Sequence, residues 1–200
     1  MKIGILISGR GSNMSAIVEA VQSNRIPDSR VVVVISDKTG AQGLEKARER
    51  NIEAIAITRK GRTREEHDAE IVGELKKRDV ELICLAGYMR LLSKEFVQAF
   101  PYKIINIHPS LLPSFPGLDA QKQAIDYGVK ISGCTVHFVD EDLDHGAIIQ
   151  QKAVEVANDD TAESLSAKIL KQEHALYVEA LAKIVSENYK IIERRVVFGI

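Results

Sequence analysis

Apolar and polar positions along the chain fall into two rhythms. Lys2 to Ile7, Arg30 to Ile35, Ala54 to Ile57, Leu82 to Ala86 and Ile104 to Ile107 are short apolar, often β-branched runs. Such runs mark strands buried on both faces of a parallel sheet. Between them, Asn13 to Gln22, Ala41 to Arg50, Thr63 to Arg78 and Ser93 to Phe100 place apolar residues at three- and four-residue spacing, with charged faces between. The alternation predicts an α/β fold with a doubly wound, mostly parallel sheet and right-handed crossovers. After His108 the texture changes, and Pro109, Pro113, Pro116 and Gly117 mark a loop that continues neither a central strand nor a helix. Ser132 to Val139 and Ala147 to Val156 read as two strands joined by the acidic loop Asp140 to Gly146, close enough in sequence to pair antiparallel. Asp159 and Asp160 precede a long helix to about Ser186, and Ile191 to Phe198 reads as a final edge strand. With no internal repeat or linker, residues 1–200 read as one domain with halves 1–108 and 109–200.

A chain of 200 residues with 45% apolar and 28% charged content fits a single soluble globular domain and excludes a collagen, a disordered tail or a coiled coil. Lysine and arginine number 27 against 28 acidic residues, so the net charge of -1 gives no global field for nucleic acid or an anionic membrane. Any bound anion must meet a local site. The opening MKIGILISG is too short to span a bilayer and runs into a glycine loop rather than a cleavage site, so the expected setting is the cytoplasm. Cys84 and Cys134 each sit in a strand-like run, where a small apolar side chain suits a core.

Ser8-Gly9-Arg10-Gly11-Ser12-Asn13 follows the first strand and opens the first helix. Glycines there permit close backbone approach, and free amide hydrogens point at an anion. The same six residues are equally compatible with a tight turn capped by Ser12 or Asn13. Met14 stands where a dinucleotide loop would carry its third glycine, which favours a monophosphate over a pyrophosphate. Asp37, ending the second strand, keeps open the alternative of a ribose-binding acid in a nicotinamide enzyme.

Asn106 and His108 alternate with isoleucines at the carboxyl end of a predicted central strand. Residues two apart share a face, about 6 to 7 Å from one another along the strand. The pair could simply cap the strand as it leaves the sheet. An asparagine can also donate to a developing oxyanion, however, and a histidine can shuttle a proton near neutral pH, so together they suggest acyl transfer. The loop Asp140-Glu141-Asp142-Leu143-Asp144-His145-Gly146 has the alternating carboxylates of a calcium loop, but its glycine is one place late and position twelve is Gln151. Calcium is rejected. Most of these acids are expected to be solvated, while one could reach His108 and favour its imidazolium. On the last helix, Glu173 falls on the face of Leu165, Ile169, Leu176, Ala180, Leu181 and Ile184. A carboxylate there needs hydrogen-bond donors, and ribose hydroxyls would serve. The remaining histidines lack ligand spacing for a metal: His67 and His145 read as solvated, His137 and His174 as structural.

From Lys2 to about Ala182 the chain resembles the glycinamide ribonucleotide formyltransferases, folate-dependent enzymes of de novo purine synthesis. The likeness rests on the Ser8 to Asn13 loop, Leu85-Ala86-Gly87-Tyr88-Met89-Arg90, Asn106-Ile107-His108-Pro109-Ser110-Leu111-Leu112-Pro113, Asp144 and Gln172-Glu173-His174. What the resemblance implies is formyl transfer from 10-formyltetrahydrofolate, as co-substrate and without a metal, to the amine of phosphoribosylglycinamide. It assigns Asn106, His108 and Asp144 to catalysis, Gly11, Ser12 and Asn13 to the phosphate, and Glu173 to the ribose. It lines the folate pocket with Arg64, Met89, Arg90, Leu91, Leu92, Asn106 and the loop Asp140, Glu141, Asp142, Leu143 and Asp144. Small molecules are the implied partners, with no nucleic acid or membrane, and the chain would be a monomer or homodimer. Asp119 and Leu170 depart from residues common in that family, histidine and a polar residue respectively. Relatives that formylate methionyl-tRNA carry an additional carboxy-terminal RNA-binding domain, and formyltetrahydrofolate hydrolases a regulatory domain before the first strand, neither of which is expected here. A non-catalytic binder of a sugar phosphate or folate is the alternative of a different class.

Overall fold

The computed structural model describes residues 1–199, which divide into two compact units, Met1–Asn106 and a second that begins at Ile107. The first holds strands β1 (Lys2–Ile7), β2 (Arg30–Ser36), β3 (Ala54–Ala56), β4 (Leu82–Leu85) and β5 (Ile104–His108), the last of which runs into the second unit. Their order is β3-β2-β1-β4-β5, and every pairing is parallel. Helices α1 (Ser12–Gln22), α2 (Gln42–Arg48), α3 (Arg64–Lys77) and α4 (Lys94–Ala99) supply the crossovers. β1 and β4 are buried along almost their whole length because helices cover both faces of a parallel sheet. α3 lies so close to β1 that a Cβ on Gly4 would meet Leu75 Cδ2 at 2.7 Å. The start of α3 is set by a capping box, Thr63 Oγ1 accepting from Glu66 N–H and Glu66 accepting from Thr63 N–H.

The second unit contains α5 (Ala120–Tyr127), β6 (Ile131–Phe138), β7 (Ile148–Glu155), α6 (Ala162–Ser186), β8 (Tyr189–Ile192) and β9 (Arg195–Phe198). β6 and β7 pair antiparallel, as their sequence spacing predicts. A second capping box, Thr161 with Ser164, starts α6, and Leu165, Ile169, Leu176, Leu181 and Ile184 form its buried stripe. Two features differ from the sequence expectation. The run Ile191 to Phe198 is not one edge strand but the greater part of a hairpin, because Glu193, at φ 55, turns the chain between β8 and β9. Residues 120–127, assigned no element by periodicity, form a helix that begins after Asp119 and ends at Gly128, both left-handed. Among the described residues no helix is long and apolar enough to cross a membrane.

Candidate active site

In the first unit the glycine loop leaves β1 at Ser8 and enters α1 through Gly11, whose φ of 68 makes it the N-cap. Neither Ser12 nor Asn13 caps the helix with its side chain, which corrects the turn-capping alternative. A helix start without a side-chain cap suits an anion placed against its amides. Two glycines meet here. Gly43 N–H donates to the Gly9 carbonyl at 3.0 Å, and a Cβ on Gly11 would come within 2.8 Å of Gly43 Cα.

Ser8 also fastens a second loop, Gly87 to Leu92. Its N–H donates to the Gly87 carbonyl at 3.0 Å, and its hydroxyl accepts the Met89 N–H at 2.9 Å. At the far end Ser93 N–H donates to Asp68 Oδ2 at 2.6 Å. In the middle Arg90 Nε donates to Asp37 Oδ2 at 2.7 Å. Asp37 is buried and its ion pair with Arg90 joins the end of β2 to this loop. Thus clamped, the loop presents Met89 and Leu91, 63% and 53% exposed, as apolar surface. Leu92 is half-buried, Arg64 is exposed at the start of α3, and Asn106 is half-buried on β5. His67, expected in solvent, is instead buried with Nε2 donating to the Ile57 carbonyl at 2.7 Å. Burial, then the charges of Asp68 and Asp37, push the Tyr88 phenol well above its usual range.

In the second unit His108, at the end of β5, is buried between two acceptors. Nε2 lies 2.8 Å from the Phe115 carbonyl, and Nδ1 lies 3.3 Å from Asp144 Oδ2. Both ring nitrogens therefore face oxygen acceptors. The same Asp144 oxygen accepts the Gly117 N–H at 2.8 Å. Phe115 and Asp144 adopt φ of 53 and 49, a conformation unusual for side chains with a Cβ that clusters where geometry serves a site. Asp144 Oδ1 lies 3.8 Å from His137 Nε2. Burial holds His137 below its usual range, against the raising effects of its bond with the Phe138 carbonyl and of Asp144. His137 is thus a neighbour of the pair, a placement that its sequence assignment to structure alone missed. Alternation along β6, which puts Thr135 and His137 on one face, was the available signal.

The segment after His108 is hung from that same strand. Thr135 Oγ1 donates to the Ser110 carbonyl at 2.7 Å and accepts the Leu112 N–H at 3.0 Å, while Gln151 Nε2 donates to Thr135 Oγ1 and to the Leu112 carbonyl, each at 2.9 Å. In the acidic loop, Glu141, Asp142 and Leu143 are exposed, Asp140 is half-buried and accepts the Asp142 N–H, and Asp144 alone turns to His108. Glu173 is buried on α6 as its position predicts. Its charge, second to burial, raises the Cys134 thiol, which is pushed up to about 12.

A family model described as formyl transferase matches residues 1–181. Phosphoribosylglycinamide formyltransferase of Bacillus subtilis is 42% identical over 188 residues, covering 94% of this chain and 96% of that protein. The trifunctional purine biosynthetic protein adenosine-3 of Drosophila melanogaster is 48% identical over 187 residues, 92% of this chain. The match spans only 14% of that longer relative. Among solved structures, glycinamide ribonucleotide transformylase 1 from Symbiobacterium toebii superposes with a TM-score of 0.97 at 47% identity, covering 99% of this chain and 93% of that one.

Proposed function

The chain belongs to the formyl transferase family, and on that premise we propose that it moves a formyl group from 10-formyltetrahydrofolate to the amine of phosphoribosylglycinamide, within purine biosynthesis. The observation that carries this reading is His108 held between the Asp144 carboxylate and the Phe115 carbonyl. Such a setting fixes the ring so that it can donate to a carbonyl oxygen on which negative charge builds. Likeness to two named phosphoribosylglycinamide formyltransferases, over 96% and 84% of their length, supports the choice of acceptor. The chain is read as a single formyltransferase domain, with small molecules as its partners and the cytoplasm as its setting.

The folate donor supplies the formyl carbon and its oxygen. His108 gives up its bond to the Phe115 carbonyl and donates from Nε2 to the formyl oxygen as the substrate amine attacks. Asn106, two residues earlier on β5, donates its amide to the same oxygen. Asp144 accepts from Nδ1 and assists movement of the proton from the attacking amine to N10 of the donor, whose bond to the formyl carbon breaks to release tetrahydrofolate. Gly11, Ser12 and Asn13 hold the phosphate at the uncapped start of α1, and Glu173 accepts the ribose hydroxyls. Met89, Leu91 and Leu143 offer exposed apolar surface suited to a flat heterocycle. Arg90 and Leu92 in the first unit and Asp140, Glu141 and Asp142 in the second are assigned to the same donor by the likeness, and Arg64 offers a cation to the donor's anionic tail.

Purified protein incubated with phosphoribosylglycinamide and 10-formyltetrahydrofolate should yield tetrahydrofolate and the formylated product. His108→Ala should lose on the order of 100- to 1,000-fold in rate while its circular dichroism is unchanged. Absence of product with the wild-type chain, or ordinary turnover by the variant, would overturn the assignment.

A further inference from the structure

The acidic loop between β6 and β7 is braced by the β8–β9 hairpin, whose role no sequence motif announces. The hairpin is fixed to the body by an aromatic cluster. The Tyr189 ring stacks on Phe138 at 5.7 Å and meets Phe198 at 6.0 Å, and Lys183 Nζ sits 5.7 Å from the Phe198 ring centre. β9 also runs beside the start of β7, with Ile148 opposite Arg195. Phe138 ends the strand entering the loop and Ile148 begins the strand leaving it, so the hairpin touches both of its stems.

From the hairpin turn Arg194 reaches the loop itself. Nη2 donates to the His145 carbonyl at 2.5 Å, and Nη1 lies 2.5 Å from His145 Nε2. The same Nη1 lies 3.3 Å from His145 Nδ1, which is itself 2.8 Å from Asp140 Oδ2. Arg194, the imidazole and the Asp140 carboxylate therefore form one contact group, tying the loop's first acid to its sixth residue. The guanidinium grips one residue at two points, a main-chain oxygen and a ring nitrogen, which a point charge cannot do. Isolated exposed ion pairs do little, but a bidentate contact within a network on an anchored element does more.

We propose that Arg194 is a positioning residue for Asp144, acting through His145. Asp144 directly precedes His145 and holds a left-handed backbone at φ 49, a conformation that relaxes unless its surroundings maintain it. At the loop's exit Gly146 passes so near the Phe138 carbonyl that a Cβ would lie 1.9 Å from its oxygen, so that end packs directly against β6. Arg194 restrains the interval between these points. The proposal rests on the formyl-transfer reading, in which Asp144 balances His108.

The test compares Arg194→Ala, Arg194→Lys, His145→Ala and the double alanine variant in steady-state formyl transfer, together with amide hydrogen exchange across residues 139–147. Arg194→Ala should lower kcat/KM for the formyl donor about tenfold, as small misplacements of a catalytic group do. The KM for phosphoribosylglycinamide should stay put. The double variant should lose less than the product of the two single losses, because both remove the contact between Arg194 and the imidazole. Lysine should restore only part of the loss. Wild-type kcat/KM in Arg194→Ala, with loop exchange unchanged, would overturn the proposal. Should the wild-type chain transfer no formyl group, the functional reading fails by itself. Loop exchange then decides alone: faster exchange of Asp140 to Gly146 in Arg194→Ala upholds the brace, and equal exchange refutes it.

Discussion

Replacing Thr135 by valine removes one hydroxyl and keeps the shape of the side chain. That hydroxyl is fully buried and serves the main chain just downstream of His108, donating to the Ser110 carbonyl and accepting the Leu112 N–H. Valine leaves both groups without these bonds in a space water does not reach, and each orphaned group costs about 1–3 kcal/mol. Gln151 keeps its bond to the Leu112 carbonyl, so that oxygen adds nothing to the loss. The extra methyl returns about 0.8 kcal/mol of apolar burial. The net expectation is a loss of about 1–5 kcal/mol. Because the chain has no tryptophan, urea unfolding is best followed by far-ultraviolet circular dichroism. With a slope of about 2 kcal/mol per molar urea, the midpoint should fall by about 0.6–2.6 M with the slope unchanged. Thr135→Ser keeps the hydroxyl and should lose only about 1 kcal/mol, for the missing methyl. A midpoint shift in Thr135→Val smaller than that of the serine control would refute the claim that this hydroxyl suspends the Ser110 to Leu112 segment.

Gly43→Ala should destabilise the first unit and weaken binding of phosphoribosylglycinamide, since the new Cβ would lie 2.4 Å from Ile7 Cδ1 and 3.2 Å from Gly11 Cα; calorimetry showing unchanged stability and affinity would contradict the close approach. His137 titrates below its ordinary 6.5 in the folded chain, chiefly because burial penalises its charge. As pH falls through 6.5 the unfolded chain binds the proton first, so the stability due to the neutral ring is complete above that value and drains away toward the folded value. Urea titrations between pH 7 and pH 5 should therefore show a shallower decline for His137→Gln than for the wild type, and parallel declines would count against a suppressed titration. The Cys134 thiol, pushed up to about 12 by burial and by Glu173, should resist iodoacetamide at pH 8 in the native protein and react once urea is added; native labelling at the rate of a free thiol would show the group to be accessible.

What the sequence revealed followed from local rules, and what it concealed depended on distant contacts. The five parallel strands and their helices were legible because apolar runs and helical spacing repeat along the chain. β6 and β7 were legible through their short connection. Glu173 stood out because a carboxylate interrupts an apolar stripe, and α6 does bury it. The short helix α5 went unseen, since eight residues span little more than two turns and the helix starts after an aspartate in a left-handed cap rather than a capping serine. The hairpin turn at Glu193 and Arg194 lacks the usual asparagine-glycine pair, so two strands read as one. His67 looked like a solvated helix residue until the Ile57 carbonyl, ten positions earlier, was found against its ring. Asp37 fitted a ribose role by its place at a strand end, and only the fold brought Arg90 to it.

The contact between Gly11 and Gly43 changes how such a loop should be sought in other chains. In dinucleotide folds the tight approach of helix to strand is secured by a third glycine within the same short signature. Here Met14 occupies that place, and the bare backbone needed beside the turn comes from the following helix, some thirty residues along, where Gly43 also binds the Gly9 carbonyl. A search that counts intervals along one segment discards this arrangement as incomplete. A search in space, asking which two chain segments touch through their α-carbons, would recover it.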